Sequence, residues 1–79
     1  MNITDLELKL INAITESDYS QEPHDAVWFW SVAQEFDSNQ ISGVVGSAVK
    51  KGLVKVQDEG TKDHIIYLTT DGLDIFNNQ

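Results

Sequence analysis

Residues 38–57 read SNQISGVVGSAVKKGLVKVQ, and their pattern predicts a helix that runs directly into a strand. The first part of this stretch has helical spacing and the second part alternates as a strand does. Gly52 is placed to end the helix in the left-handed conformation that glycine adopts without strain. The stretch therefore predicts a helix over residues 38–51, a tight turn and a strand over residues 53–56. The predicted inward stripe of the helix is Ile41, Val44, Val45, Ala48 and Val49.

The same stretch differs from the rest of the chain in charge. The 79 residues contain 5 lysines and arginines against 13 acids, for a net charge of −8. Residues 38–57 hold no acid and carry +3 from Lys50, Lys51 and Lys55, which leaves −11 for the remainder. An acid-free helix and strand in an acidic chain indicate a docking surface.

The N-terminal segment predicts a helix over residues 5–16. Thr4 and Glu7 have the spacing of a capping box, in which each side chain bonds the backbone of the other residue. One face of the helix carries the apolar stripe Ile3, Leu6, Leu10, Ile11, Ala13 and Ile14. Leu8 lies off the stripe, either as a singly exposed leucine or as a self-association contact.

A polar loop over residues 17–25 leads into AVWFWSVAQEF. We expect a brief extended segment at residues 26–28 and then a helix over residues 29–36. Most of this aromatic cluster is expected in the core, with Trp30 as a candidate exposed contact. Further on, residues 58–63 predict a hairpin tip, residues 64–69 a returning strand, and Thr70 or Asp71 caps a last short helix.

Composition argues against catalytic and metal chemistry. There is no cysteine, and His24 and His64 lack a helical metal-ligand spacing. The acids Asp18, Glu22 and Asp25 have the irregular spacing of a solvated loop. No nucleophile or phosphate-loop motif occurs, so we expect no enzyme activity and no cofactor. No apolar run is long enough to span a bilayer and the N-terminus is no secretory signal, so a cytoplasmic protein is expected.

The order of elements resembles a winged helix-turn-helix domain. VVGSAVKKGLVKV is similar to a recognition helix entering the wing, and IIYLTTDGLDIF resembles the second wing strand and closing helix of MarR-like domains. The resemblance implies an α+β fold: a three-helix bundle with a helix-turn-helix, a two- or three-stranded antiparallel wing and a short C-terminal helix. Residues 1–79 then form one domain, similar to small DNA-binding proteins of phages or mobile elements.

By this resemblance the protein is a transcriptional or phage regulator that binds double-stranded DNA, with no membrane partner and with a homodimer possible. The third helix would enter the major groove, where amide and hydroxyl side chains bond base edges and lysines contact phosphates. The implied contacts are Asn39, Gln40, Ser42, Gly43, Ser47, Lys50, Lys55 and Lys62.

Three features favour an alternative, an acidic protein-interaction module or DNA mimic that binds a replication, transcription or nuclease partner. The net charge is −8, arginine is absent, and the hairpin tip carries Asp58, Glu59 and Asp63 against Lys62. Leu8 and Trp30 are then the candidate protein contacts.

Gly43 and Gly46 fit either function, because each interior helix glycine costs about 1 kcal/mol relative to alanine. Their presence indicates either close approach by a partner or a tight crossing with a neighbouring helix of the same domain.

Overall fold

The fold is α+β, as the sequence predicts, with four helices and one three-stranded antiparallel sheet among the described residues. The structure is a computed structural model that describes residues 2–17 and 20–79. Its elements are α1 (Asp5–Thr15), β1 (Val27–Trp28), α2 (Phe29–Ala33), α3 (Ser38–Lys50), β2 (Val54–Gln57), β3 (Ile65–Leu68) and α4 (Thr70–Asn77).

The sheet has the order β1-β3-β2, so the last strand lies in the middle. Val54 pairs with Leu68 and Val56 with Ile66, while Lys55 pairs with Tyr67. Since neighbouring residues of a strand point to opposite faces, Lys55 and Tyr67 lie on the face away from the core.

The core lies where α1, α3 and the sheet meet. Its fully buried members include Leu10, Ile11, Ile14, Ala48 and Ile66. Burying an aliphatic side chain of this size contributes about 1.5–3 kcal/mol relative to leaving it exposed. These residues hold α3 against α1 and against the sheet. Their packing therefore determines which face of α3 is exposed to solvent.

The caps follow the local sequence. The capping box at α1 is confirmed, with Thr4 N donating to Glu7 Oε1 (2.8 Å) and Glu7 N donating to Thr4 Oγ1 (3.1 Å). Gly52 ends α3 with φ +77, as predicted. The cap of α4 is Thr69, which accepts from Gly72 N, and not Thr70 or Asp71.

Gly72 is required by close packing rather than by its backbone conformation. A Cβ added there would lie 2.1 Å from the carbonyl oxygen of Leu53. The absence of a side chain thus lets α4 sit against the segment between α3 and β2.

Several sequence predictions are wrong in detail. The second helix ends at Ala33 instead of residue 36, because the bonds Glu35 N to Val32 O and Phe36 N to Ala33 O tighten the chain into turns. Leu6 and Val49, predicted inside, are 38% and 46% exposed, because each lies at the edge of its helical stripe.

Leu8 is partly buried, so it is not the singly exposed leucine expected from the helical pattern. The reason is the central position of α1, which contacts α2, α3, α4 and β3. Among the described residues, no helix is both long and apolar enough to cross a membrane.

Candidate docking surface

An open groove of about 500 Å³ runs between α3 and the hairpin formed by β2 and β3. We call this the α3–hairpin groove. Val49 is partly exposed because it faces this groove, where β2 does not cover the outer edge of the apolar stripe of α3. Its lining residues are mainly aliphatic or aromatic: Phe29, Ile41, Ser42, Val45, Gly46, Val49, Val56, Glu59 and His64.

His64 forms part of the groove wall and is held by two contacts to Phe29. The two rings are stacked with centroids 4.1 Å apart and planes 8° apart, and Phe29 N donates to His64 O (2.9 Å). The Nε2 atom of His64 is buried and has no hydrogen-bond partner among the described residues. An unsatisfied buried polar atom costs about 1–3 kcal/mol, so the stacked position of His64 is held at a cost in stability.

Acidic residues lie at the hairpin end of the groove. Glu59 lines the groove itself, while Asp58 and Asp63 are exposed in the same turn, which also carries Lys62. The groove therefore combines an apolar floor with a negative end.

The outward face of α3, adjacent to the groove, is small and polar. Asn39, Ser42 and Lys50 are exposed there, as the sequence predicts, and Gln40 is partly buried. A Cβ added at Gly43 or Gly46 would meet no atom within 4 Å. No described helix crosses α3 at these glycines, so the interpretation as an internal helix crossing is wrong.

The structure does not bring the predicted DNA-contacting lysines together on this face. Lys55 lies on the opposite face of the sheet, beside Tyr67 and Thr70. Lys62 lies among the acids of the hairpin turn. Lys9, which was not a predicted DNA contact, lies 4.8 Å from the centre of the Phe36 ring. Lys50 alone is left on the exposed face of α3.

Lys51 is bound internally by Glu7, and Ser47 belongs to the same cluster. Lys51 Nζ donates to Glu7 Oε1 (2.7 Å) and to Asn2 O (2.7 Å), and Ser47 Oγ donates to Glu7 Oε2. Glu7 is 1% exposed. The Ser47 hydroxyl is therefore already used between α1 and α3.

The charge state of Glu7 follows from these contacts. Burial raises the pKa of the Glu7 carboxyl, but the hydrogen bonds from Lys51, Ser47 and Thr4 outweigh burial and lower the pKa to about 2. This side chain is ionised at neutral pH and joins α1 to the C-terminal end of α3.

Trp30 is 54% exposed, as the sequence predicts for a contact residue, but it does not line the α3–hairpin groove. A second depression, of about 320 Å³, lies between α1 and α2 and is lined by polar and charged side chains including Lys9, Glu16 and Glu35. It has no buried polar group without a partner among the residues described.

One group of metal-ligand atoms forms in the loop before β1. Ligand atoms of Glu22, His24 and Asp25 lie within 4.8 Å of one another. Asp25 Oδ2 already accepts from Gln21 N and Glu22 N, and these backbone bonds lower the pKa of Asp25. Asp18 lies outside the described residues. The three residues Glu22, His24 and Asp25 form an internally bonded turn in which Asp25 is partly buried.

Sequence reasoning missed four residues of this surface and its support: Phe29, Val49, Glu59 and His64. The exposure of Val49 could have been predicted from the sequence. Val49 lies at the edge of the apolar stripe of α3, and residues at the edge of a stripe are left exposed when the neighbouring element covers only its centre. The stacking of His64 on Phe29 joins residues 35 positions apart, and nothing in the local pattern indicates it.

Comparison of the chain with protein-family models, with curated proteins and with solved structures gave no match. The chemistry of the groove and of α3 is therefore the basis for a functional conclusion.

Proposed function

We propose that this chain is a winged-helix domain that acts as a protein-interaction module, with the α3–hairpin groove as its docking surface. The fold proposal is supported by the order of the elements and by the hairpin that follows α3 directly. It is also supported by a short strand before α2 that joins the hairpin into one sheet. The functional proposal depends on the groove.

The single observation that carries the proposal is the apolar floor of the groove. Val49 is 46% exposed, and Val45, Val56 and Phe29 are partly buried around it. Covering the exposed part of Val49 alone would contribute about 1 kcal/mol, from the usual value for burying an aliphatic side chain. A polypeptide segment has the apolar side chains that such a floor accommodates, whereas the phosphate backbone of DNA has none.

Charge also favours a protein partner. Proteins that bind duplex DNA gain affinity because each phosphate that a lysine or arginine neutralises releases about one counterion. Here Lys50 is the sole lysine on the exposed face of α3, and the chain carries −8 overall. Because Lys51 is paired with Glu7 and Lys55 is on the far side of the sheet, neither adds to that face.

DNA binding is a second candidate, favoured by one specific observation. The outer face of α3 has no acid, exposes Asn39 and Ser42, and leaves open space above Gly43 and Gly46. Amide and hydroxyl groups can bond base edges, and the glycines permit close approach of a sugar-phosphate backbone.

Affinity capture with paired variants tests the protein-interaction function. The full chain is immobilised and extract of its source cells is passed over wild type, Val49→Glu and Thr70→Glu. Both substitutions add one negative charge at an exposed position, but Thr70 lies beside Lys55, away from the groove. We expect a specific protein to be retained by wild type and Thr70→Glu and lost from Val49→Glu. Equal retention by all three would contradict the proposal.

Titration with random duplex DNA tests the second candidate. Amide shifts of isotope-labelled protein are followed at low and then moderate salt. The proposal predicts no localised shifts along α3. Shifts at Asn39, Ser42 and Lys50 that fade as salt rises, and that are lost in Lys50→Glu, would instead establish DNA binding.

A further inference from the structure

The α3–hairpin groove has three chemically distinct parts, and together they define what can fill it. The floor is aliphatic, with Val45, Val49 and Val56 beside the stacked ring of Phe29. The hairpin end is negative through Glu59. The wall contains the His64 ring, whose buried Nε2 atom has no hydrogen-bond partner among the described residues.

We infer that the occupant of this groove is an amphipathic segment of another protein, with apolar side chains on one face and a lysine or arginine beside them. The inference rests on the proposed function and specifies the partner. The apolar face would cover Val49 and Val45, and the basic side chain would pair with Glu59.

Charge selects a basic segment over a second copy of this chain. The molecule carries −8, and the turn that holds Glu59 also exposes Asp58 and Asp63 against Lys62. A positively charged partner is attracted at long range and is oriented by the negative end of the groove. A second copy would bring another −8 to the same site.

The backbone of α3 permits close approach at the groove. Gly46 lines it and has open space where a Cβ would be, so a docked segment can lie directly on the helix. A helix laid in an apolar groove presents residues at i, i+3, i+4 and i+7. The α3–hairpin groove is open and has a volume of about 500 Å³.

Two synthetic helical peptides of about 16 residues test the inference. Both have leucines at i, i+3, i+4 and i+7. One carries lysines beside the leucine face and the other carries glutamates at the same positions. Each is titrated into the isotope-labelled full chain, with amide shifts and the side-chain resonances of His64 recorded.

We expect the lysine peptide to shift Val45, Val49, Val56 and His64 and to bind more tightly than the glutamate peptide. Glu59→Lys is expected to weaken the lysine peptide about three- to tenfold, since each tenfold change is 1.4 kcal/mol and rim charge pairs are of that order or less. Asp74→Lys makes the same charge change on α4, outside the groove, and is expected to have a smaller effect.

The outcomes separate this inference from the proposed function. If both peptides shift the groove equally and Glu59→Lys has no effect, the basic partner is wrong while docking in the groove stands. If neither peptide shifts groove residues, both fail. If Glu59→Lys and Asp74→Lys weaken binding of the lysine peptide equally, the preference for that peptide comes from the overall negative charge of the protein and not from Glu59. That result would overturn the inference. So would concentration-dependent shifts at Val49 in the protein alone, because they would identify a second copy as the occupant.

Discussion

Replacing Glu7 with glutamine should make the stability of this fold less dependent on acid pH. The Glu7 carboxyl is 1% exposed and accepts hydrogen bonds from Thr4, Ser47 and Lys51. These bonds lower its pKa from 4.5 to about 2 in spite of burial. At 1.36 kcal/mol per pH unit, the ionised group contributes about 3 kcal/mol to the free energy of unfolding at neutral pH.

The sign of the pH dependence follows from the direction of this change. The folded pKa lies below the unfolded one, so the contribution is fully present above pH 4.5 and is lost as the pH falls toward 2. Glu7→Gln has no carboxyl to protonate there. We expect it to be less stable than wild type by about 2–3 kcal/mol at pH 7, because it removes the partner of the partly buried Lys51. The difference should close between pH 4.5 and 2.

Urea unfolding followed by tryptophan fluorescence at pH 7, 5, 4, 3 and 2 measures both curves. The lowered pKa of Asp25 is common to both proteins and cancels in their difference. Glu16→Gln, an exposed acid just after the same helix, is the charge control and is expected to change stability by about 0.5 kcal/mol or less at pH 7. A wild-type-minus-variant difference that stays constant from pH 7 to pH 2 would show that folding does not lower the pKa of Glu7.

Three alanine substitutions should differ in sign, as measured by urea unfolding. Gly43→Ala and Gly46→Ala should each stabilise the fold by up to about 1 kcal/mol, since the new methyl meets no atom and helix propensity improves, and destabilisation by either would contradict the open space seen there. Gly72→Ala should destabilise by about 1–3 kcal/mol because its Cβ would clash with a backbone carbonyl, and an unchanged midpoint would contradict that packing. Gly46→Ala should weaken binding of the lysine peptide and Gly43→Ala should not, because Gly46 lines the α3–hairpin groove and Gly43 does not. His64→Phe should be as stable as wild type or more so, since it keeps an aromatic ring on Phe29 and removes an unsatisfied atom; a loss above about 2 kcal/mol would show that this atom already has a partner.

Local signals in the sequence predicted much of the fold. The capping box of Thr4 and Glu7, the left-handed Gly52 and the strand after it each depend on neighbours in the chain. The structure has the first two as predicted, and the strand spans Val54–Gln57 instead of residues 53–56. Strand order could not be derived this way, because β1 pairs with β3 across 36 intervening residues.

The candidate site was less predictable because it depends on contacts between distant elements. Glu7 has the pattern of a helix cap, but its carboxylate also binds Lys51, 44 residues away, and this removes Lys51 from the surface. The position of Lys55 on a strand could not indicate which sheet face would meet α3. The formal charge of the acid-free stretch therefore overstated the positive charge that α3 presents.

Site-specific photocrosslinking at Val49 tests the docking surface most directly. A benzoylphenylalanine is placed at position 49 in the full chain, with position 70 as the control, and irradiated in cells of the source organism. We expect a discrete protein adduct from position 49, containing a basic amphipathic segment at the crosslinked site, and none from position 70. An adduct to DNA, or the same adducts from both positions, would contradict it.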